Sequence, residues 1–140
     1  MTSPTSIPIP VPIMHPELKV YWDATLEGKL LLPTCNDCSQ VIWYPRPYCP
    51  NCASLNITWV QASGKGTVYS YTINRRGQAN SAEYRGADEY VLAYVQLEEG
   101  PRVLTNIVDC DVDSVEIGQA VTAVFHDSGK GGALLRFKPA

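Results

Sequence analysis

Four cysteines in two tight pairs constrain this chain more than any other feature. They read Cys35-Asn36-Asp37-Cys38 and Cys49-Pro50-Asn51-Cys52, separated by ten residues. A Cys-x-x-Cys pair forms a tight turn whose two thiolates converge from one side, so two such turns facing each other can hold a single tetrahedral metal. Four soft thiolates suit zinc and leave no open coordination position, which makes the expected role structural. The same four thiolates also suit a rubredoxin-like iron site. Disulfides would need an oxidising compartment, and nothing at the N-terminus resembles a secretory signal. A thioredoxin-like redox pair needs one motif between a strand and a helix, whereas both motifs here sit among Pro, Asn and Ser. The expectation is one structural zinc on Cys35, Cys38, Cys49 and Cys52, in a ribbon of two facing knuckles joined by a short strand pair.

A chain of 140 residues has room for such a metal-stapled module beside one compact domain. No apolar run approaches a membrane span, so a cytoplasmic protein without membrane contact is expected. The formal charge of −3 argues against a polyanion as the main partner.

Ahead of the cysteines lies a proline-rich tail, residues 1–14, in which Pro8, Pro10 and Pro12 alternate with Ile7, Ile9, Val11 and Ile13. Proline at every second position removes backbone donors, so this strip should be extended and lie on a partner or on the chain's own surface. A helix over residues 15–28 is expected next, with Pro16 at its first turn, Glu17 at its positive end and Gly28 as its stop. Leu18, Tyr21, Trp22, Thr25 and Leu26 recur at helical spacing on one face. A helix standing ahead of a small ribbon has little core to bury this face in. Leu18, Tyr21, Trp22 and Leu26 are therefore the expected partner interface.

Residues 29–62 form the expected ribbon, with a strand over Val41–Tyr48 between the knuckles and another at Ile57–Val60. Trp43, Tyr44 and Trp59 are expected to shield the thiolates from water. Residues 63–140 alternate as a small β domain, with strands expected at Thr67–Arg75, Tyr90–Leu97, Arg102–Val108, Ala120–His126 and Leu134–Phe137. A long polar loop, 76–89, interrupts them. Five strands without helical periodicity suggest an OB-fold barrel, so the fold class is mainly β: helix, four-cysteine ribbon, five-stranded barrel.

In this order of elements the chain resembles the acyl-CoA-associated zinc-ribbon and OB-fold family, long catalogued as a domain of unknown function. The matching stretches are Tyr21-Trp22, Gly28-Lys29-Leu30, the two cysteine pairs with Pro45-Arg46-Pro47-Tyr48, Trp59, Gly64 to Thr72, Leu97-Glu98-Glu99-Gly100, Ile117-Gly118 with Val121, and Arg136-Phe137-Lys138-Pro139. The chain departs from the family at Ser39 and Ala53, where the family has glycine after each cysteine pair. Glycine relaxes a left-handed turn, so strained knuckles or a lowered metal affinity are expected here. The resemblance implies a non-catalytic accessory subunit that braces a thiolase-like or lipid-transfer-protein-like enzyme in a hetero-oligomer and can form part of its CoA channel.

The residues agree on catalysis. Cys110 lies between Asp109 and Asp111, whose charges should raise its pKa rather than activate it. His15 sits in the tail, and His126 is next to Asp127, its strand neighbour on the opposite face. No nucleophile–base set is visible. The rival reading is single-stranded nucleic-acid binding, which zinc ribbons and OB-folds both serve. Its best residues, Lys65, Arg75, Arg76 and Arg85 near several tyrosines, are offset by Glu83, Asp88 and Glu89, and the remainder of the chain is acidic. Arg75, Arg76 and Arg85 fit the phosphate cluster of one CoA better.

Overall fold

The computed structural model describes residues 7–76 and 82–140. A 3-10 turn at Pro16–Leu18 leads into helix α1, Lys19–Leu26. Pro16 occupies the first position of that turn, where its missing N–H costs nothing. Gly28 ends the helix at φ +73°, with its N–H donating to the Thr25 carbonyl. Strands β1 (Leu31–Cys35) and β2 (Ile57–Gln61) pair antiparallel, Cys35 opposite Ile57, and carry the cysteine turns at one end.

Five strands follow: β3 (Lys65–Asn74), β4 (Tyr90–Leu97), β5 (Arg102–Ile107), β6 (Ala120–Asp127) and β7 (Ala133–Pro139). They close a barrel in the order β3-β4-β5-β7-β6, with β6 returning to β3. Only the β5–β7 seam is parallel. Alternation along β4 shows why the barrel forms: Val91, Ala93, Val95 and Leu97 are buried while Leu92 and Tyr94 face out. These side chains meet Val68, Val103, Ile107, Val121 and Phe137 in the main core. The five-strand barrel expected from the sequence is present, and each strand lies within two residues of its expected ends.

Three local expectations are corrected. First, Val41–Tyr48 is not a strand; it makes a single bridge, Thr34 to Val41. Pro45 and Pro47 have no N–H to give a ladder. The strand pair therefore flanks the two knuckles instead of joining them. Second, the face of α1 turns inward. Tyr21 and Thr25 are buried, Tyr21 among the main core residues, and Leu18 and Trp22 are half-buried. The Thr25 hydroxyl donates to the Trp22 carbonyl at 2.6 Å and accepts from the Ala133 N–H at 2.9 Å, tying the helix to β7. The barrel supplies the surface that the ribbon alone could not. Third, Trp43 and Trp59 pack against this main core, and Tyr44 is exposed, so the aromatics do not cover the thiolates.

The proline strip lies on the chain's own surface at its start. Ile7 packs with Tyr90 and Val108, and the Pro8 carbonyl accepts from Arg136 Nη2 at 2.6 Å. Val11 and Ile13 remain exposed. Residues 1–6 of the tail and 77–81 of the long loop lie outside the described residues. No described helix is long and apolar enough to cross a membrane.

Candidate metal centre

Each knuckle is built from the same two backbone bonds. The Ser39 N–H donates to the Cys35 carbonyl and the Cys35 N–H to the Gln40 carbonyl, both at 2.9 Å. The second knuckle repeats this, with Ala53 N–H to the Cys49 carbonyl at 2.8 Å and Cys49 N–H to the Ser54 carbonyl at 2.9 Å. Closing each turn requires a left-handed residue after the second cysteine, and Ser39 and Ala53 adopt φ of 65° and 63°. Both are side-chain-bearing residues in a region that favours glycine.

The four Sγ atoms lie within 4.8 Å of one another. Cys35 and Cys52 approach to 3.6 Å, Cys38 and Cys49 to 3.5 Å. Sulfurs at the usual zinc–thiolate bond length would stand about 3.8 Å apart at the corners of a tetrahedron. The donor set and its spacing therefore fit one metal ion. Cys35 and Cys49 are buried, Cys38 half-buried and Cys52 exposed, so the site sits at the surface with its inner half closed.

The sulfurs differ electrostatically. The Asn51 side-chain amide donates to Cys38 Sγ at 3.6 Å. That bond, followed by one from the Gln40 backbone, holds the Cys38 thiol down to about 6. At Cys52 the Ser54 backbone bond acts in the same direction. It is outweighed by Cys35, by burial and by the other two thiols, which push Cys52 up to about 12. A metal that displaces all four protons therefore meets one sulfur that ionises readily and one that resists.

Apolar cover comes from residues the sequence reading missed. Ile42 and Ile57 pack on Cys35, Cys38 and Cys49. Ile57 faces Cys35 across the strand pair, so the signal was the β-branched residue opening β2. Polar side chains brace the knuckles from outside. Asn36 Nδ2 donates to Asn56 Oδ1 at 2.9 Å and to Thr58 Oγ1 at 2.8 Å, and Ser54 donates to Asp37.

The remaining candidate residues are scattered. Arg75 donates to Glu89 at 3.2 Å and to Asp113 at 2.5 Å, so its charge is already matched by two carboxylates, contrary to a role at a phosphate. Arg76 and Arg85 are exposed on the edges of the long loop. Cys110 has a raised pKa, as expected, but burial is the main cause and Asp111 and Asp109 add less. His126 Nδ1 lies 2.9 Å from Arg136 Nη1.

A four-cysteine ribbon fused to a closed five-stranded barrel defines the class: a small β protein with a cysteine cluster placed to hold a metal ion. The description "ChsH2, rubredoxin-like zinc ribbon domain" matches residues 22–58, and "ChsH2, C-terminal OB-fold domain" matches residues 59–126. A "DUF35 domain-containing scaffold protein" of Methanothermobacter thermautotrophicus is 38% identical over 112 residues, covering 75% of this chain and 82% of the relative. A "3-oxo-4,17-pregnadiene-20-carboxyl-CoA hydratase alpha subunit" of Mycobacterium tuberculosis is 30% identical over 132 residues, 89% of this chain. The chain spans only 41% of that longer protein. The solved "Ltp2-ChsH2(DUF35) aldolase" superposes with a TM-score of 0.76 at 30% identity, covering 92% of this chain and 98% of that one. The chain belongs to the ChsH2/DUF35 zinc-ribbon and OB-fold scaffold family.

Proposed function

We propose that this protein is a non-catalytic accessory subunit of a thiolase-fold enzyme acting on acyl-CoA. The observation that carries the reading is the match, over 92% of this chain, to a chain of the solved Ltp2-ChsH2(DUF35) aldolase, whose name joins ChsH2 to Ltp2. The site chemistry supports it. The four thiolates would hold one zinc, which leaves no open position for substrate. Cys110, the fifth cysteine, has its pKa raised by burial, and His126 faces a guanidinium.

Zinc bound by Cys35, Cys38, Cys49 and Cys52 would fix the ribbon against the barrel, because ribbons of this size rarely fold without metal. The partner would meet the apolar residues that the chain leaves exposed near its N-terminus, Val11, Ile13 and Leu26. Arg76 and Arg85, exposed on the edges of the long loop, would stand nearest a CoA phosphate.

The test is reconstitution. The chain alone should not turn over acyl-CoA thioesters, and adding it to a thiolase-fold acyl-CoA enzyme from the same organism should raise that enzyme's activity at least tenfold. Turnover by the isolated chain, or an enzyme indifferent to its presence, would overturn the reading.

A further inference from the structure

A groove of about 460 Å³ opens between α1, the residues after the first knuckle and the outer face of β5 and β7. Its walls are apolar and aromatic, including Trp22, Tyr44, Leu92, Leu104 and Leu135, and Arg136 forms part of its lining. That size and composition are those of small-molecule sites.

Arg136 is 2% exposed, and among the described residues no carboxylate meets it. Its partners are neutral: His126 Nδ1 at 2.9 Å, the Pro8 carbonyl at 2.6 Å, and the Tyr84 hydroxyl. A guanidinium has five N–H donors, so about two stay uncommitted. Burial lowers the pKa of this group, the mark of a cation removed from water without a counter-charge. On the same groove wall Trp22 Nε1 is buried and, among the described residues, has no acceptor at all. Buried donors are nearly always paired in folded proteins, so unpaired ones beside an open groove point to an acceptor that arrives from outside.

We propose that this groove binds an apolar carboxylic acid as its anion, the carboxylate on Arg136 and the apolar body along Trp22, Leu92 and Leu104. A planar fork with two free donors matches a carboxylate. Among the described residues no second cation lines the groove, so a phosphate dianion would be left half-neutralised. This site is distinct from the four cysteines and needs no partner protein.

Decanoate below its micelle concentration is the probe, with 1-decanol as the uncharged control, followed by calorimetry and by tryptophan fluorescence. Decanoate should bind saturably, at least tenfold tighter than decanol, and Arg136→Met should remove that preference. Because Arg136→Met removes a buried side chain that bonds two other segments, Leu104→Trp supplies a second variant. It fills the groove from an exposed position and should abolish decanoate binding at unchanged zinc content and melting temperature. The proposal fails if decanoate does not saturate, if decanol binds equally well, or if Leu104→Trp binds as wild type.

Discussion

Ser39 and Ala53 carry the clearest residue-scale strain. Each closes a knuckle in the left-handed region, where a Cβ costs roughly 1–2 kcal/mol. Glycine would remove that cost while adding backbone entropy to the unfolded chain. Ser39→Gly and Ala53→Gly should therefore each stabilise the protein by about 0.5–1 kcal/mol, read as a higher denaturation midpoint at equal metal content. A loss of stability in both would contradict the strain argument. The need for glycine at these positions was legible from the family pattern, and the dihedral angles supply its cause. His126 was not legible. In sequence it is a histidine beside an aspartate; in the fold its Nδ1 accepts from Arg136, which requires a neutral ring. Its pKa is lowered by burial first and by Arg136 second, against a smaller opposing effect of Asp109. The unfolded chain therefore takes up this proton at a higher pH than the folded one. Stability should fall as pH drops below about 6.5 and level off below the folded value. His126→Asn, which keeps an acceptor near Nδ1 and does not titrate, should flatten that slope in denaturant melts at pH 7.5 to 5. An unchanged slope would assign the acid sensitivity to other groups.

At the scale of elements, the barrel strands were readable because each alternates buried and exposed residues over its length. Val41–Tyr48 misled, since aromatic and β-branched residues outweighed the prolines that deny it a ladder. Helix α1 was found by its period, but which surface it covers depends on β7, which lies far along the chain, and no local pattern encodes that. The partner face assigned to Tyr21 was lost for this reason. Barrel closure depends on Gly66, where β3 passes between β4 and β6. A Cβ there would stand 2.6 Å from Val95 Cγ1 and 2.7 Å from the Gln96 carbonyl oxygen. The second neighbour is backbone and cannot swing aside. Gly66→Ala should cost about 1–3 kcal/mol, whereas Gly100→Ala, where a Cβ meets nothing within 4 Å, should cost only its dihedral strain. Equal losses in thermal melts would show that the strands relax around the added methyl.

Across the whole molecule the two modules are joined by more than the chain. Trp43 and Trp59 of the ribbon pack on the barrel core. Metal loss should therefore be felt beyond the ribbon. The purified protein should hold about one zinc, and Cys49→Ser, or a strong chelator, should remove it and lower the melting temperature of the barrel as well. Retention of the full melting temperature without metal would argue against a structural site.

The proposed role is that of one subunit in a larger enzyme. Its most direct measurement is the mass, by light scattering after size exclusion, of the chain co-expressed with a thiolase-fold acyl-CoA enzyme from the same organism. A single stoichiometric peak heavier than either protein, weakened at least tenfold in affinity by Ile13→Asp with Leu26→Asp, is the predicted result. Two separate peaks at micromolar concentration, each at the mass of one protein's own assembly, would contradict it.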